Sequence, residues 1–278
     1  MLKTLEKFLL PLTSGGIALA YSGGTDSLLL LAVLAGMRRR QDFPLLALTF
    51  HSVFHTEAEL DSARRDARAL GIVPELVEFA PLDDPQLCYN PPDRCYLCKR
   101  AIFTRSRELA GRRGIAALMD GTNADDLMEW RPGRRALAEL GVVSPLAELG
   151  IGKEGIHALA GKLGLPVHPS NSCLATRFLH DTLLSWSELR RVERGEALLH
   201  DLGLVKVRLR WRDGAARVEV DAGDFERALR QREALTDGLR ELGFCAVSIQ
   251  VLEPHRDIMA DRMPGGAAGR PVRCCTQV

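Results

Sequence analysis

Three strings in this sequence combine residue types that can do chemistry. The first is Ser22-Gly23-Gly24-Thr25-Asp26-Ser27. A glycine pair lets backbone N–H groups come up to phosphate oxygens with no Cβ in the way. A helix beginning there adds unpaired donors and the positive end of its dipole. Ser22 and Ser27 bring hydroxyl donors, while Asp26 would repel a phosphate and is better suited to holding Mg2+. A glycine-rich turn with Asp or Ser capping the helix is the plain alternative. The whole string, set between a strand and a helix, favours phosphate binding over it. The Gly-Lys-Ser/Thr ending of a Walker loop is missing.

The second string is Cys95-Tyr96-Leu97-Cys98, at the predicted start of a helix. A spacing of three puts both sulfurs on nearly the same helical face. The helix N-terminus, with Arg94, Lys99 and Arg100 alongside, favours thiolates. Core cysteines, half a zinc knuckle or a redox pair would use the same spacing. The third string runs from Pro169 to Arg177 and carries Cys173 in a Ser/Asn-rich loop, a poor setting for a structural core cysteine. Arg177 would steady a thiolate there, or a phosphate brought to it. The chain has seven cysteines, an odd count that argues against a disulfide framework. Cys88 reads as a loop residue, Cys245 as core, and Cys274 and Cys275 as part of the tail. His51 and His55, after the second strand, show no catalytic pairing.

The elements that must position these strings follow from apolar periodicity. Strands are expected at Gly16–Ser22, Pro44–Phe50, Pro74–Ala80 and Ala116–Thr122, with helices at Ser27–Arg40, Thr56–Leu70 and Cys95–Arg113. A strand-like stretch at Val142–Gly150 and a helix at Gly152–Leu163 complete the series. Alternation of this kind implies right-handed crossovers and an α/β fold with a doubly wound parallel sheet. Beyond about residue 180 the pattern becomes helix (Ser185–Leu202), hairpin around Asp213-Gly214, helix (Asp224–Leu242) and strand, a small α+β unit. The expected domains are 1–180 and 181–262, with a mobile tail over 263–278.

With 278 residues, 46% hydrophobic and 26% charged, the chain can bury a substantial core. A net charge of +1 gives none of the basic excess of a dedicated nucleic-acid binder. No run approaches the roughly 18–20 apolar residues of a membrane span. The N-terminus reads as a short amphipathic helix rather than a signal peptide, so a cytoplasmic protein is expected.

The first string resembles the PP-loop of the ATP pyrophosphatases, enzymes similar to NAD synthetase, GMP synthetase and the tRNA thiolases. More specifically, the chain resembles the LarE family, over most of its length. The motifs carrying this are the SGGTDS loop, Arg94-Cys95-Tyr96-Leu97-Cys98-Lys99, Asp120-Gly121-Thr122-Asn123-Ala124-Asp125-Asp126 and Arg131-Pro132-Gly133. Ser144-Pro145-Leu146, Cys173-Leu174-Ala175-Thr176-Arg177 and the hairpin ending Ala216–Val220 add to them.

The resemblance implies a homo-oligomeric ATP-dependent sulfur transferase acting on a pyridinium-3,5-biscarboxylate mononucleotide. A carboxylate is adenylated with release of pyrophosphate, and sulfur at Cys173 displaces AMP to leave a thiocarboxylate. It also implies that Ser22, Gly23, Gly24, Asp26 and Ser27 hold ATP and Mg2+, with Asn123 and Asp125 close by. Asp125 and Asp126 suit helix capping as well. Arg177, Arg208, Arg210 and Arg217 are candidates for the substrate's phosphate and carboxylates, and Glu219 for a metal. Solvated strand faces are the plain reading of the hairpin arginines. Trp130 and Arg131 would border the substrate.

Some members of the family sacrifice the sulfur of the cysteine matching Cys173. This chain adds Cys95 and Cys98, which suggests a 4Fe–4S cluster on three thiolates with one iron open for an extra sulfide. Zinc on three protein ligands is the alternative. Rival readings are a tRNA-thiolating enzyme, expected to show a broad basic surface, and a nucleotide- or Fe–S-binding regulator that releases no pyrophosphate.

Overall fold

A computed structural model describes residues 1–128, 133–169 and 171–252. The chain opens with α1 (Leu2–Leu9), an amphipathic helix that buries Leu5 and Leu9. Strand and helix then alternate: β1 (Ile17–Ala20), α2 (Thr25–Arg38), β2 (Leu45–His51), α3 (Glu57–Ala69), β3 (Glu75–Glu78), α4 (Arg94–Arg112) and β4 (Ala117–Met119). The four strands form one parallel sheet in the order β3-β2-β1-β4. Leu19 of β1 is in register with Ala47 on one side and Met119 on the other.

Side-chain alternation divides the two faces of this sheet. Ile17, Leu19, Ala47 and Met119 face the core built on α2 and on Ala63 and Ala67 of α3. Ala18 and Leu118 face the opposite way, onto Phe103 and Ala110 of α4. Helices therefore cover both faces, as strands apolar on each side require. The chain steps outward from β1 to β3 and then crosses back to lay β4 on the other side of β1. Loops after β1 and β4 thus meet where the strand order reverses, the usual ligand crevice of an open parallel sheet.

The chain continues through α5 (Gly133–Glu139), α6 (Pro145–Glu148) and α7 (Lys153–Leu163), which packs beside α2. The strand-like stretch expected at Val142–Gly150 shrinks to a single parallel bridge from Val143 to Met119. Pro145 then opens α6, where its fixed φ and missing N–H suit the first helical position.

Next come α8 (Trp186–Asp201), capped by the Ser185 hydroxyl, and a hairpin of β5 (Val207–Arg212) and β6 (Ala215–Val220). Asp213 and Gly214 at its tip have φ of 46° and 84°, as a type I′ turn demands. The single helix predicted at Asp224–Leu242 is two, α9 (Phe225–Arg230) and α10 (Arg232–Glu241), parted at Gln231 where φ is −101° and ψ 14°. β7 (Val247–Val251) adds to β6 in parallel. Cys245, expected in the core, is exposed just ahead of that strand.

The core of this second unit gathers Leu189, Leu209, Val218 and Leu239, and also takes in Phe54, Leu174 and Phe178. It therefore extends to the end of β2 and to the residues after Cys173. No helix among the described residues is long and apolar enough to cross a membrane. Trp130, Arg131, Cys274, Cys275 and the 263–278 tail lie outside the described residues.

Candidate functional site

The Gly-Gly string occupies the C-terminal end of β1, with α2 starting at Thr25. Gly23 has φ of 82°, and a Cβ there would stand 2.5 Å from the Ala63 Cβ. Only glycine fits both that backbone and that contact. The Ser22 and Ser27 hydroxyls are 3.1 Å apart and brace the loop, Ser22 Oγ accepting from the Gly24 N–H and Ser27 Oγ donating to the Gly24 carbonyl. The N–H groups of Gly23, Thr25 and Asp26 meet no acceptor among the described residues. That is the donor set an anion requires.

The string after β4 forms the facing wall. Gly121 approaches so closely that a Cβ would lie 2.9 Å from the Ser27 nitrogen. Asn123 is fully buried; its Nδ2 donates to Asp26 Oδ2 at 2.8 Å, and its Oδ1 accepts from the Asp125 and Asp126 backbones. Asp125 accepts from the Lys153 N–H at 2.7 Å and so caps α7. Asp126 accepts from the Asn123 N–H. Asp120 accepts from Thr122 and Ser144, and Lys99 of α4 stands 3.8 Å from it.

All three cysteines of interest gather around one buried cation. Arg94, 3% exposed at the start of α4, donates to Cys95 Sγ at 3.6 Å. Burial alone would lower its guanidinium, yet Cys173, Cys95 and Cys98 together hold it above the ordinary arginine value. Burial and the neighbouring Cys173 push the Cys98 thiol up to about 12, against the pull of Arg94. At Cys98 burial thus outweighs the helix N-terminus and basic neighbours that were expected to favour a thiolate. Among the described residues, no three His, Cys, Asp or Glu side chains meet closely enough to hold a single metal ion.

The residue that draws these strings together is one the sequence reading passed over. Asn90 is fully buried with φ of 52°, a left-handed conformation that Asn tolerates better than most. Its Nδ2 donates to the carbonyls of Ala175, Phe178 and Leu179 at 3.3, 3.4 and 2.7 Å, and its Oδ1 accepts from Arg94. The 3-10 turn after Cys173 (Leu174–Arg177) is thereby fastened to the turn that launches α4. The available signal was a turn-forming Asn just ahead of Pro91-Pro92 and Cys95.

Arg177 binds both flanks of Cys173. Its Nη1 donates to the Ser172 and Thr176 hydroxyls, while Nε and Nη2 make a fork on buried Glu196 at 2.7 and 3.1 Å. Arg210 is equally committed, to Glu219 at 2.9 Å and to the Thr176 carbonyl. Glu219 also meets Arg217 at 3.4 Å and Gln250. Arg208 is different. It is half-buried, has no hydrogen bond or ion pair among the described residues, and is held below the ordinary arginine value by burial and by Arg210 and Arg177. An anion placed there would relieve that repulsion.

The phosphate-loop candidates and Cys173 are also connected. Thr25 exchanges hydrogen bonds with the backbone of His168. The five Cα-to-Cα steps from His168 to Cys173 span at most about 18 Å even when fully extended. His51 sits between Glu57 and Glu78, and His55 is half-buried beside Ser52, its imidazole lowered first by burial. Cys88 is buried in the turn ahead of Asn90.

A labelling experiment checks the thiol environment. With its pKa raised, Cys98 stays a thiol through pH 7–9, so the fold loses stability as pH climbs from the ordinary cysteine range towards 12. Iodoacetamide at pH 8 should modify Cys98 roughly two orders of magnitude more slowly than an unperturbed cysteine. Peptide mass spectrometry reads the rate, and labelling as fast as a free thiol would contradict the burial of Cys98.

No family model matches the chain. An uncharacterized protein of Synechocystis sp. is 33% identical over 237 residues, covering 84% of this chain and 87% of the relative. An uncharacterized protein of Methanocaldococcus jannaschii is 30% identical over 240 residues, 86% of this chain and 90% of the relative. The pyridinium-3,5-bisthiocarboxylic acid mononucleotide synthase of Lactiplantibacillus plantarum is 30% identical over 237 residues, 84% of this chain and 85% of the synthase. With identity at this level over most of both sequences, the chain belongs to the LarE family, the family of that synthase.

Proposed function

We propose that this protein is an ATP-dependent sulfur transferase with a PP-loop. On this reading it adenylates the carboxylates of a pyridinium-3,5-biscarboxylate mononucleotide and converts them to thiocarboxylates, with sulfur delivered at Cys173. The observation that carries the reading is that Asn90 ties Arg94, beside Cys95, to the turn that follows Cys173, while Thr25 of the Gly-Gly cradle is bonded to His168, five positions ahead of Cys173. The named relative supports the acceptor, since its name gives a bisthiocarboxylic mononucleotide as product.

A carboxylate is a poor electrophile because its leaving group would be an oxide. Attack of its oxygen on the α-phosphorus of ATP expels pyrophosphate and makes an acyl-adenylate. Sulfur then adds to the acyl carbon, the C–O bond to the phosphate breaks, and AMP leaves with the electron pair. Backbone N–H groups of Gly23 and Thr25, with the Ser22 and Ser27 hydroxyls, would hold the outer phosphates. Asp26 keeps Oδ1 clear of donors among the described residues while Asn123 fixes Oδ2, which suits it to Mg2+. Asn123 and Asp125 brace that wall. Arg208 would take an anion of the mononucleotide, with Arg210, Arg217 and Glu219 fixing its surroundings and Arg177 fixing Cys173.

For the sulfur source we propose a 4Fe–4S cluster held by Cys95, Cys98 and Cys173. The donors fit in kind: Cys95 lies against the Arg94 guanidinium, a cation that would offset thiolate charge, and Asn90 joins Arg94 to the turn after Cys173. Cys95, Cys98 and Cys173 would hold the cluster, and three thiolates leave one iron without a protein ligand. When bound, such a cluster supplies an open iron able to carry a transferable sulfide.

The test is anaerobic reconstitution followed by an assay of pyrophosphate release with the dicarboxylate mononucleotide. Four irons per chain, and pyrophosphate released only with acceptor, are expected. ATP binding without release would favour the regulator. Copurifying tRNA and a thionucleoside lost on deletion would favour tRNA thiolation. Dehydroalanine at Cys173 would favour sacrificial sulfur.

A further inference from the structure

Within the Gly-Gly string, the Thr25 side chain has no phosphate or metal duty, yet the residue is 6% exposed and its hydroxyl is fully engaged. Its hydroxyl accepts from the His168 N–H at 2.9 Å and donates to the His168 carbonyl at 3.3 Å. A single side chain thus closes both backbone groups of a residue 143 positions away, five positions ahead of Cys173. The His168 ring is fixed as well, its Nε2 lying 2.7 Å from Asp66 Oδ2 on α3. One turn earlier on α3, Ala63 packs against Gly23 and accepts from the Tyr21 hydroxyl. Further along, Asn171 donates to Glu59 at 3.2 Å, and the Leu174 N–H to the Phe54 carbonyl at 2.9 Å.

We propose that the His168–Asp66 pair is a positioning element that locks the chain segment entering Cys173 onto the anion loop, so that sulfur delivery is coupled to adenylate formation. The inference rests on the reading in the preceding subsection and names the residues that join its two steps. The physical need is clear. An acyl-adenylate is open to water, and a sulfur donor held out of line would let it hydrolyse and waste ATP. Thr25 registers the segment against the loop, and the His168–Asp66 hydrogen bond, strengthened by the carboxylate charge, stops it pivoting about that point. Neither His168 nor Asp66 has a part in binding or chemistry here, so loosening them should change the yield of sulfur transfer rather than the first step.

The test uses the reconstituted holoenzyme with three single variants, His168→Ala, His168→Gln and Asp66→Ala. Pyrophosphate release and thiocarboxylate formed are measured together. His168→Ala should keep pyrophosphate release within about twofold and lower thiocarboxylate per pyrophosphate about tenfold, the effect expected of one charge-assisted hydrogen bond. His168→Gln, which can present a donor at the Nε2 position, should recover most of that yield, and Asp66→Ala should match His168→Ala. Alkylation of Cys173 by iodoacetamide, on the full chain before cluster reconstitution, gives a second readout, independent of turnover. It should quicken several-fold in both alanine variants and return towards the unaltered rate in His168→Gln. An unchanged yield, a parallel fall of both products, or Cys173 labelling insensitive to all three substitutions would overturn the proposal. Absence of pyrophosphate release from the unaltered protein would instead defeat the adenylation reading, leaving the alkylation rates to decide the lock.

Discussion

Replacing Cys173 with serine should leave pyrophosphate release within about twofold of the unaltered protein and remove thiocarboxylate formation, a loss of at least about a thousandfold. The fold gives the substitution little to disturb. Cys173 is half-buried, and its backbone is fixed from both sides: the Thr176 N–H and hydroxyl donate to its carbonyl at 2.9 and 2.7 Å, and Arg177 holds Ser172 and Thr176. Serine keeps the shape but removes the soft sulfur atom, and its hydroxyl neither carries sulfide nor ligates iron comparably. A coupled pyrophosphate assay and product mass together give both numbers. Thiocarboxylate formed at a few per cent of the normal rate would mean that sulfur reaches the adenylate by another route. Cys95→Ser should show the same split if Cys95 is a cluster ligand, and should stay near full single-turnover activity if Cys173 gives up its own sulfur.

Asn90→Ala should be the most destabilising single substitution near the site, at about 3–5 kcal/mol, combining lost buried hydrogen bonds with an arginine left without its neutral partner. Asn90 makes three donations to main-chain carbonyls and accepts from Arg94 with no exposure at all. Alanine would take the donor from the Phe178 and Leu179 carbonyls, leave the Ala175 carbonyl with only the Phe178 N–H, and would still have to adopt φ of 52°. For a chain of this size the change corresponds to a fall in Tm of roughly 10 °C. Asn90→Gly separates the two contributions, because it relieves the backbone and should recover about 1 kcal/mol. Thermal melts check both variants. A Tm within about 2 °C of the unaltered protein for Asn90→Ala would show that the turn after Cys173 is held by something else.

How much of this was legible in the sequence depended on whether the determining contacts were local. The sheet was readable because β1 and β2 are apolar runs bounded by Gly16 and Pro44, and α3 announces itself with the Thr56–Glu59 capping box. Gly23 was recognised as a phosphate-loop glycine, while its second constraint, the Ala63 contact, depends on how α3 lies across the loop. Asn90 stayed hidden because its partners lie 85 to 89 positions away and are carbonyl oxygens, which carry no residue identity. The hairpin arginines show the same limit. Register sets Arg208 across from Glu219 and Arg210 across from Arg217, yet Glu219 pairs diagonally with Arg210. Strand pattern alone gives no reason for that choice, so it could not show that Arg208 has no ion pair among the described residues. The break at Gln231 was likewise unreadable, since no Gly or Pro marks it.

The account stands on activated acyl groups and reduced sulfur meeting at one site. Its most direct test is high-resolution mass spectrometry, under anaerobic conditions, of the small molecules and the intact chain after incubation with ATP, Mg2+ and the pyridinium dicarboxylate mononucleotide. The expected result is AMP, pyrophosphate and a mononucleotide with sulfur in place of carboxylate oxygen, while Cys173 keeps its unmodified mass. AMP appearing with an oxygen-only mononucleotide, or ATP left intact, would contradict it.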